Sequence, residues 1–136
     1  MLTLVINCGS SSVKYQLINT ETRDKLAWGI VERIGAVTAI IKHDQPAKKS
    51  IKKTEPIETH TQALKEIMEY LISAESGLLE SASEIQAVGH RVVHGGETFK
   101  DSVHIDESVI EAIEHAFDLA PLHNPPNLKG IEAAMK

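Results

Sequence analysis

Three short stretches hold residue types that bind and move phosphoryl groups. The first is NCGSSSVK, residues 7–14. Its glycine lets the backbone turn tightly and approach a ligand, and successive N–H groups in such a turn form an anion-binding concavity. Ser10, Ser11 and Ser12 add hydroxyl donors, and Lys14 adds a positive charge. Asn7 offers an amide oxygen to a metal-bound water or an N–H to an oxyanion. The P-loop pattern GxxxxGK[ST] is absent, and a strand follows rather than a helix, so this is not a P-loop. An ordinary serine-rich hairpin turn has the same composition.

The second stretch is GHRVVHGGE, residues 89–97. Arg91 sits in a strand-like run of mostly apolar neighbours, where a partly buried guanidinium needs a partner. Its fork suits a carboxylate or phosphate bidentately. Strand alternation would place Val93 on the same face, an apolar contact beside a carboxylate clamp that fits a small organic acid. The alternative is a structural salt bridge to Glu97 or another acid. The third stretch is APLHNPPN, residues 120–127. Asn124 reads as a helix cap and Pro125 suits the first turn. His123 then lies just ahead of a helix N-terminus, where anions are favoured, placed either to hydrogen-bond a phosphoryl group or to make a purely local bond. Of the seven histidines, His90 and His94 are four apart. RVVHGG favours a strand over a helix there, and no HExxH or Cys/His zinc pattern exists.

The elements that must position these stretches follow from periodicity. Residues 2–6 read as a strand buried on both faces. Residues 13–19 alternate, with Val13, Tyr15 and Leu17 on one side, completing a hairpin. Further strands are expected over 26–34 and 37–41. The lysine cluster KKSIKK at 48–53 reads as a solvated loop or an edge hairpin. Residues 59–72 form a helix, with Leu64, Ile67, Met68 and Leu71 on one face and a Thr59–Gln62 capping box. A strand is expected over 85–94, then a helix from the N-cap Asp106 through Phe117, then a last helix from Asn124 with Leu128, Ile131, Ala134 and Met135 as its stripe. The order, strands, helix, strand, helix, helix, makes a layered α/β domain.

Composition narrows the class. With 136 residues, 42% hydrophobic and 24% charged, the chain has the size and composition of one soluble domain. A net charge of −5 argues against a nucleic-acid partner. The single cysteine, Cys8, excludes an internal disulfide and fits a reducing compartment. No signal peptide and no apolar run of membrane-spanning length is present, so a cytoplasmic location is expected.

Taken together, VINCGSSSVKY at 5–15, GHRVVHGGE and APLHNPPN, in this order and separation, resemble the acetate kinase family, which includes propionate kinases. The resemblance runs over the whole chain. It implies the ribonuclease-H-like N-terminal lobe of the actin, Hsp70 and sugar-kinase superfamily, a mixed sheet with flanking helices. It also implies that residues 1–136 are a fragment of a longer two-lobe kinase, inactive alone, whose parent is a homodimer. The implied reaction is reversible transfer of the γ-phosphoryl of ATP to a short-chain carboxylate, acetate or propionate, with Mg²⁺. By the resemblance, Asn7 positions the metal and phosphate, and Ser10, Ser12 and Lys14 line the phosphate channel. Arg91 holds the carboxylate and the transferring group, Val93 and Leu122 pack on the alkyl tail, and His123 steadies the phosphoryl oxygens, making Arg91 and His123 the catalytic candidates. His94 would stand behind them, and Cys8 has no assigned role.

Two other readings compete. A sugar kinase or Hsp70-like ATPase shares the superfamily fold. A sugar kinase needs a carboxylate to take a proton from a hydroxyl, whereas GHRVVHGGE offers an arginine–valine pocket. The isolated chain could also act only as a folding or dimerisation module.

Overall fold

The structure is a computed structural model describing residues 1–136. Six strands form one sheet in the order β5-β4-β3-β2-β1-β6. β1 (Leu2–Cys8), β2 (Ser12–Asn19), β3 (Asp24–Glu32), β4 (Ala39–Asp44) and β5 (Ile51–Glu55) run as an antiparallel meander, and β6 (Ala87–His90) joins β1 in parallel at the far edge. Helix α1 (His60–Ile72) makes the crossover between β5 and β6, and α2 (Glu107–His115) and α3 (Asn124–Ala134) follow. This mixed sheet with flanking helices is the α/β architecture that the resemblance implies.

The core lies between one face of the sheet and the helices. Leu4, Ile6, Cys8, Val13, Tyr15 and Leu17 project into it by strict alternation and meet Ala63, Leu64, Ile67 and Leu71 of α1. The N-terminus of α1 is fixed by the expected capping box, in which Gln62 N–H donates to Thr59 Oγ1 at 3.2 Å and the Gln62 side chain accepts from the Thr59 backbone. Asp106 caps α2 as expected, accepting from Val109 N–H at 3.0 Å. A second, smaller apolar cluster joins the last two helices: Val109 and Ile113 of α2 with Leu128 and Ile131 of α3, covered by Val92, Phe99 and Ile105. No helix is long and apolar enough to cross a membrane.

Several expectations need correction. β1 is buried on one face only: its other face leaves Val5 exposed, because helices cover just one side of the sheet. The lysine-rich segment is the edge-hairpin alternative, with Ile51 to Glu55 paired to β4 and three exposed residues between its ends. Lysines on an open edge discourage further strand pairing. β6 stops at His90, well short of residue 94. Asn124 is the first residue inside α3 rather than its cap, and His123 takes the N-cap position without a side-chain cap bond. Pro125 and Pro126 occupy the first turn, where two of the otherwise unpaired N–H groups are simply absent.

Candidate active site

The NCGSSSVK loop is a tight hairpin whose backbone is pinned and whose amide, hydroxyl and lysine side chains are unpaired, while Cys8 and Val13 are buried in the core. Gly9 N–H donates to the Ser12 carbonyl at 2.9 Å, closing the turn, and Ile34 N–H donates to the Ser11 carbonyl at 2.9 Å. The Nε2–H of His60, first residue of α1, donates to the Gly9 carbonyl at 2.6 Å, which fixes the histidine tautomer. Asn7 pairs with Lys14 across the hairpin. Alternation puts both on the sheet face opposite Ile6 and Val13, away from the core. The side chains of Asn7, Ser10, Ser12 and Lys14 make no hydrogen bond or ion pair within the chain.

Arg91 extends the β1–β6 ladder by one bond, its N–H donating to the Ile6 carbonyl at 3.1 Å, and the chain then leaves the sheet. Its guanidinium is therefore exposed rather than partly buried. It pairs with neither Glu97 nor any other acid, so the salt-bridge alternative is not what the structure contains. Val93 lies beyond the strand in a bend and is 40% exposed. It does not share a strand face with Arg91, although both line the same open cleft of about 940 Å³, which continues past Phe99 to Val103. Asn7, Ser10, Ser12, Lys14, Leu122 and His123 lie outside that cleft's lining. Leu122 is 76% exposed, and the His123 imidazole is exposed with no partner.

Two asparagines that sequence patterns did not single out for this task bring the stretches together. Asn124 is fully buried. Its Oδ1 accepts from His94 N–H at 3.1 Å, and its Nδ2 donates to the His94 carbonyl at 2.7 Å. Asn127, 1% exposed, accepts from Val93 N–H at 3.0 Å and donates to the Cys8 carbonyl at 2.7 Å. The first turn of α3 thus holds the backbone after Arg91 on one side and the end of β1, next to the Gly9 hairpin turn, on the other. Leu122 and His123 immediately precede this helix, His123 at its N-cap position. The spacing of Asn124 and Asn127, three residues apart on one helix face, is the one signal that could have flagged that pair.

Close packing completes the arrangement. Gly130 of α3 lies directly over the end of β1, and a Cβ there would overlap Cys8 Sγ and His90 Nε2. Cys8 is buried and burial pushes its thiol pKa up to about 12, so it is a packing group and not a nucleophile. Burial also lowers the His90 pKa, and its Nδ1 faces the Arg91 carbonyl at 2.8 Å. The His94 ring accepts from Gly96 N–H at 2.9 Å and closes its own glycine turn. No group of three or more His, Cys, Asp or Glu side chains converges closely enough to hold a metal ion, whereas Asn7 and the loop serines offer neutral oxygens.

Comparison with known proteins points the same way. The family model described as Acetokinase family matches residues 2–136. The acetate kinase of Alkaliphilus metalliredigens is 52% identical over all of this chain and 34% of its own length. That of Carboxydothermus hydrogenoformans is 48% identical over all of this chain and 34% of its own length. The chain therefore spans about a third of the length of the curated relatives it matches. The crystal structure of Porphyromonas gingivalis acetate kinase superposes with a TM-score of 0.93 at 45% identity, covering 97% of this chain and 33% of that one. A propionate kinase from Francisella tularensis gives 0.87 at 36% identity, covering 98% and 33%. With the family model matching residues 2–136 and both folds superposing over nearly the whole chain, the chain belongs to the acetokinase family.

Proposed function

We propose that the full-length protein carrying this chain is an acetate kinase-type phosphotransferase. It would move the γ-phosphoryl of ATP reversibly to a short-chain carboxylate, acetate or propionate, giving an acyl phosphate. The observation that carries this reading is the contrast between pinned backbones and unspent side chains. Asn7, Ser10, Ser12, Lys14, Arg91 and His123 have no partner within the chain, while the loops that bear them are fixed by His60, Asn124 and Asn127. Preorganised donors without protein partners suit an anionic ligand.

In this reading the Arg91 fork takes the acid's carboxylate and neutralises charge on the transferring group. Val93 and Leu122, both exposed, would pack on its alkyl tail. The carboxylate is already ionised at neutral pH, so no general base is needed. Its oxygen attacks the γ-phosphorus in line as the bond to the ADP oxygen breaks. Ser10, Ser12 and Lys14 hold the phosphates, and His123 hydrogen-bonds the moving phosphoryl oxygens. Magnesium fits the neutral oxygens of this loop as an ion that arrives with the nucleotide rather than one held in a protein cage, and Asn7 would meet it directly or through one of its waters. Bound there, the ion neutralises phosphate charge. The cleft beside Arg91 does carry one carboxylate, that of Asp101, so it is the acetokinase-family match rather than the lining that disfavours the sugar-kinase reading. Homodimerisation and a cytoplasmic location are part of the same proposal.

The test is acyl-phosphate formation by the full-length protein with acetate or propionate, beside Arg91→Ala and Ser11→Ala variants. Turnover that Arg91→Ala abolishes and Ser11→Ala largely keeps supports the reading. Equal losses from both, or no turnover with either acid, would overturn it.

A further inference from the structure

We infer that Asn127 is a positioning residue that couples the phosphate loop to the acid-binding loop, so that occupation of one orders the other; this rests on the reading above. The amide is buried, and its two polar atoms go to two different places in the chain. Nδ2 reaches the carbonyl of Cys8, the last residue of β1, and Oδ1 receives the N–H of Val93, two residues after Arg91. A planar group with one donor end and one acceptor end is required. Aspartate keeps the acceptor and loses the donor, and alanine loses both.

Asn124 supplies an internal contrast. It is equally buried and lies on the same turn, but both of its bonds go to His94 alone. It fixes the acid-binding loop to α3 and touches nothing of the phosphate loop. Cys8 has no room to drift independently, because Gly130 brings α3 down onto it. A displacement at the Gly9 turn is therefore passed through one rigid amide to the backbone that aims Arg91 and Val93. In-line transfer needs acid and γ-phosphorus in near-attack geometry, and small misplacements cost rate steeply.

The experiment uses the full-length protein as wild type, Asn127→Ala, Asn127→Asp and Asn124→Ala. Turnover is measured with each substrate varied, and amide exchange is followed at 9–12 and 91–94 with and without MgATP. In the wild type, MgATP should slow exchange at Val93 as well as in the 9–12 loop. Both Asn127 variants should lose the distant effect and lower kcat by about 100-fold, the cost of roughly ångström misplacement. Asn124→Ala should raise KM for the acid while leaving KM for ATP near wild type. A purely structural role would lower the melting temperature of the Asn127 variants and leave their kinetic constants intact, which overturns the inference. If the variants do not fold, the wild-type exchange decides alone: protection confined to 9–12 overturns the coupling. Absence of acyl phosphate from the wild type overturns the functional reading and the inference with it, whereas wild-type turnover with unaltered Asn127 variants overturns the inference only.

Discussion

Gly130→Ala sets two well-measured effects against each other. Replacing glycine by alanine inside an exposed helix stabilises by about 1 kcal/mol, through helix propensity. Here the residue is buried, and the new methyl would overlap Cys8 Sγ and His90 Nε2. It would also stand 3.0 Å from Cys8 Cβ. Rotation of the cysteine can move its sulfur away, but Cβ is fixed to β1, so α3 itself must lift. Overpacking of this kind costs about 1–3 kcal/mol. The balance is a net loss of about 1 kcal/mol, which lowers the melting temperature by about 4 °C in a domain of this size. Urea denaturation of the chain, followed by the fluorescence of its single tryptophan, Trp28 of β3, reads it directly. Cys8→Ala in the same background should recover part of the loss but not all, since the Cβ contact remains. A stabilised Gly130→Ala chain would refute the close approach of α3 to β1, and with it the geometry on which Asn127 depends.

Other outcomes follow from local features. Thr59→Ala removes the α1 capping box and should cost about 1 kcal/mol in the same denaturation assay. The Cys8 thiol, with its pKa pushed up to about 12 by burial, should stay inert to an aromatic disulfide reagent at pH 8 and react once urea unfolds the chain. His43 is 1% exposed, bonded to Tyr15 Oη at 2.9 Å and stacked on Tyr70. Its pKa falls from 6.5 to about 4, chiefly through burial, then through the Lys53 charge, partly offset by Glu66 and Asp44. The folded state thus binds fewer protons than the unfolded one, and this contribution to stability is present above pH 6.5 and lost as pH falls toward 4. His43→Phe, measured from pH 7 to 4, should lose less stability on acidification than the wild type; parallel profiles would refute the buried neutral imidazole.

Sequence patterns were informative wherever a side chain's neighbour was its own element. The alternation of Val13, Tyr15 and Leu17, the stripe of α1 and both caps at Thr59 and Asp106 are local, and the structure contains all of them. Misreadings came where tertiary partners intervened. RVVH is β-branched and reads as strand, but the N–H groups of Val93 and His94 go to Asn127 and Asn124 instead of to a ladder. Asn124 before Pro125 looks like a cap, yet burial against His94 claims its amide. Strand β5 carries too few apolar residues to announce itself and is held by pairing with β4. The three chemical stretches were visible from residue type and spacing. What gathers them was not: His60 reaches Gly9 from across the fold, and Gly130 looks like any mid-helix glycine until β1 lies beneath it.

The unequal size of the two apolar clusters bears on how the molecule opens. The larger one welds α1 to the sheet, whereas the smaller joins α2 to α3 through only four buried side chains. Cooperative units of such different depth open at different free energies, and the shallower opens first. Helix α3 spans the two: Ala133 and Ala134 pack on the larger cluster and Gly130 rests on Cys8, so the part free to open is α2 with the segment that covers it. A ligand seated in the cleft that Arg91 and Val93 share with Val109 and Ile113 binds only when α2 is closed, so its binding energy would fall selectively on that helix and suppress its opening. Such a ligand would then serve as a removable staple between a permanent part and a breathing part of the same domain.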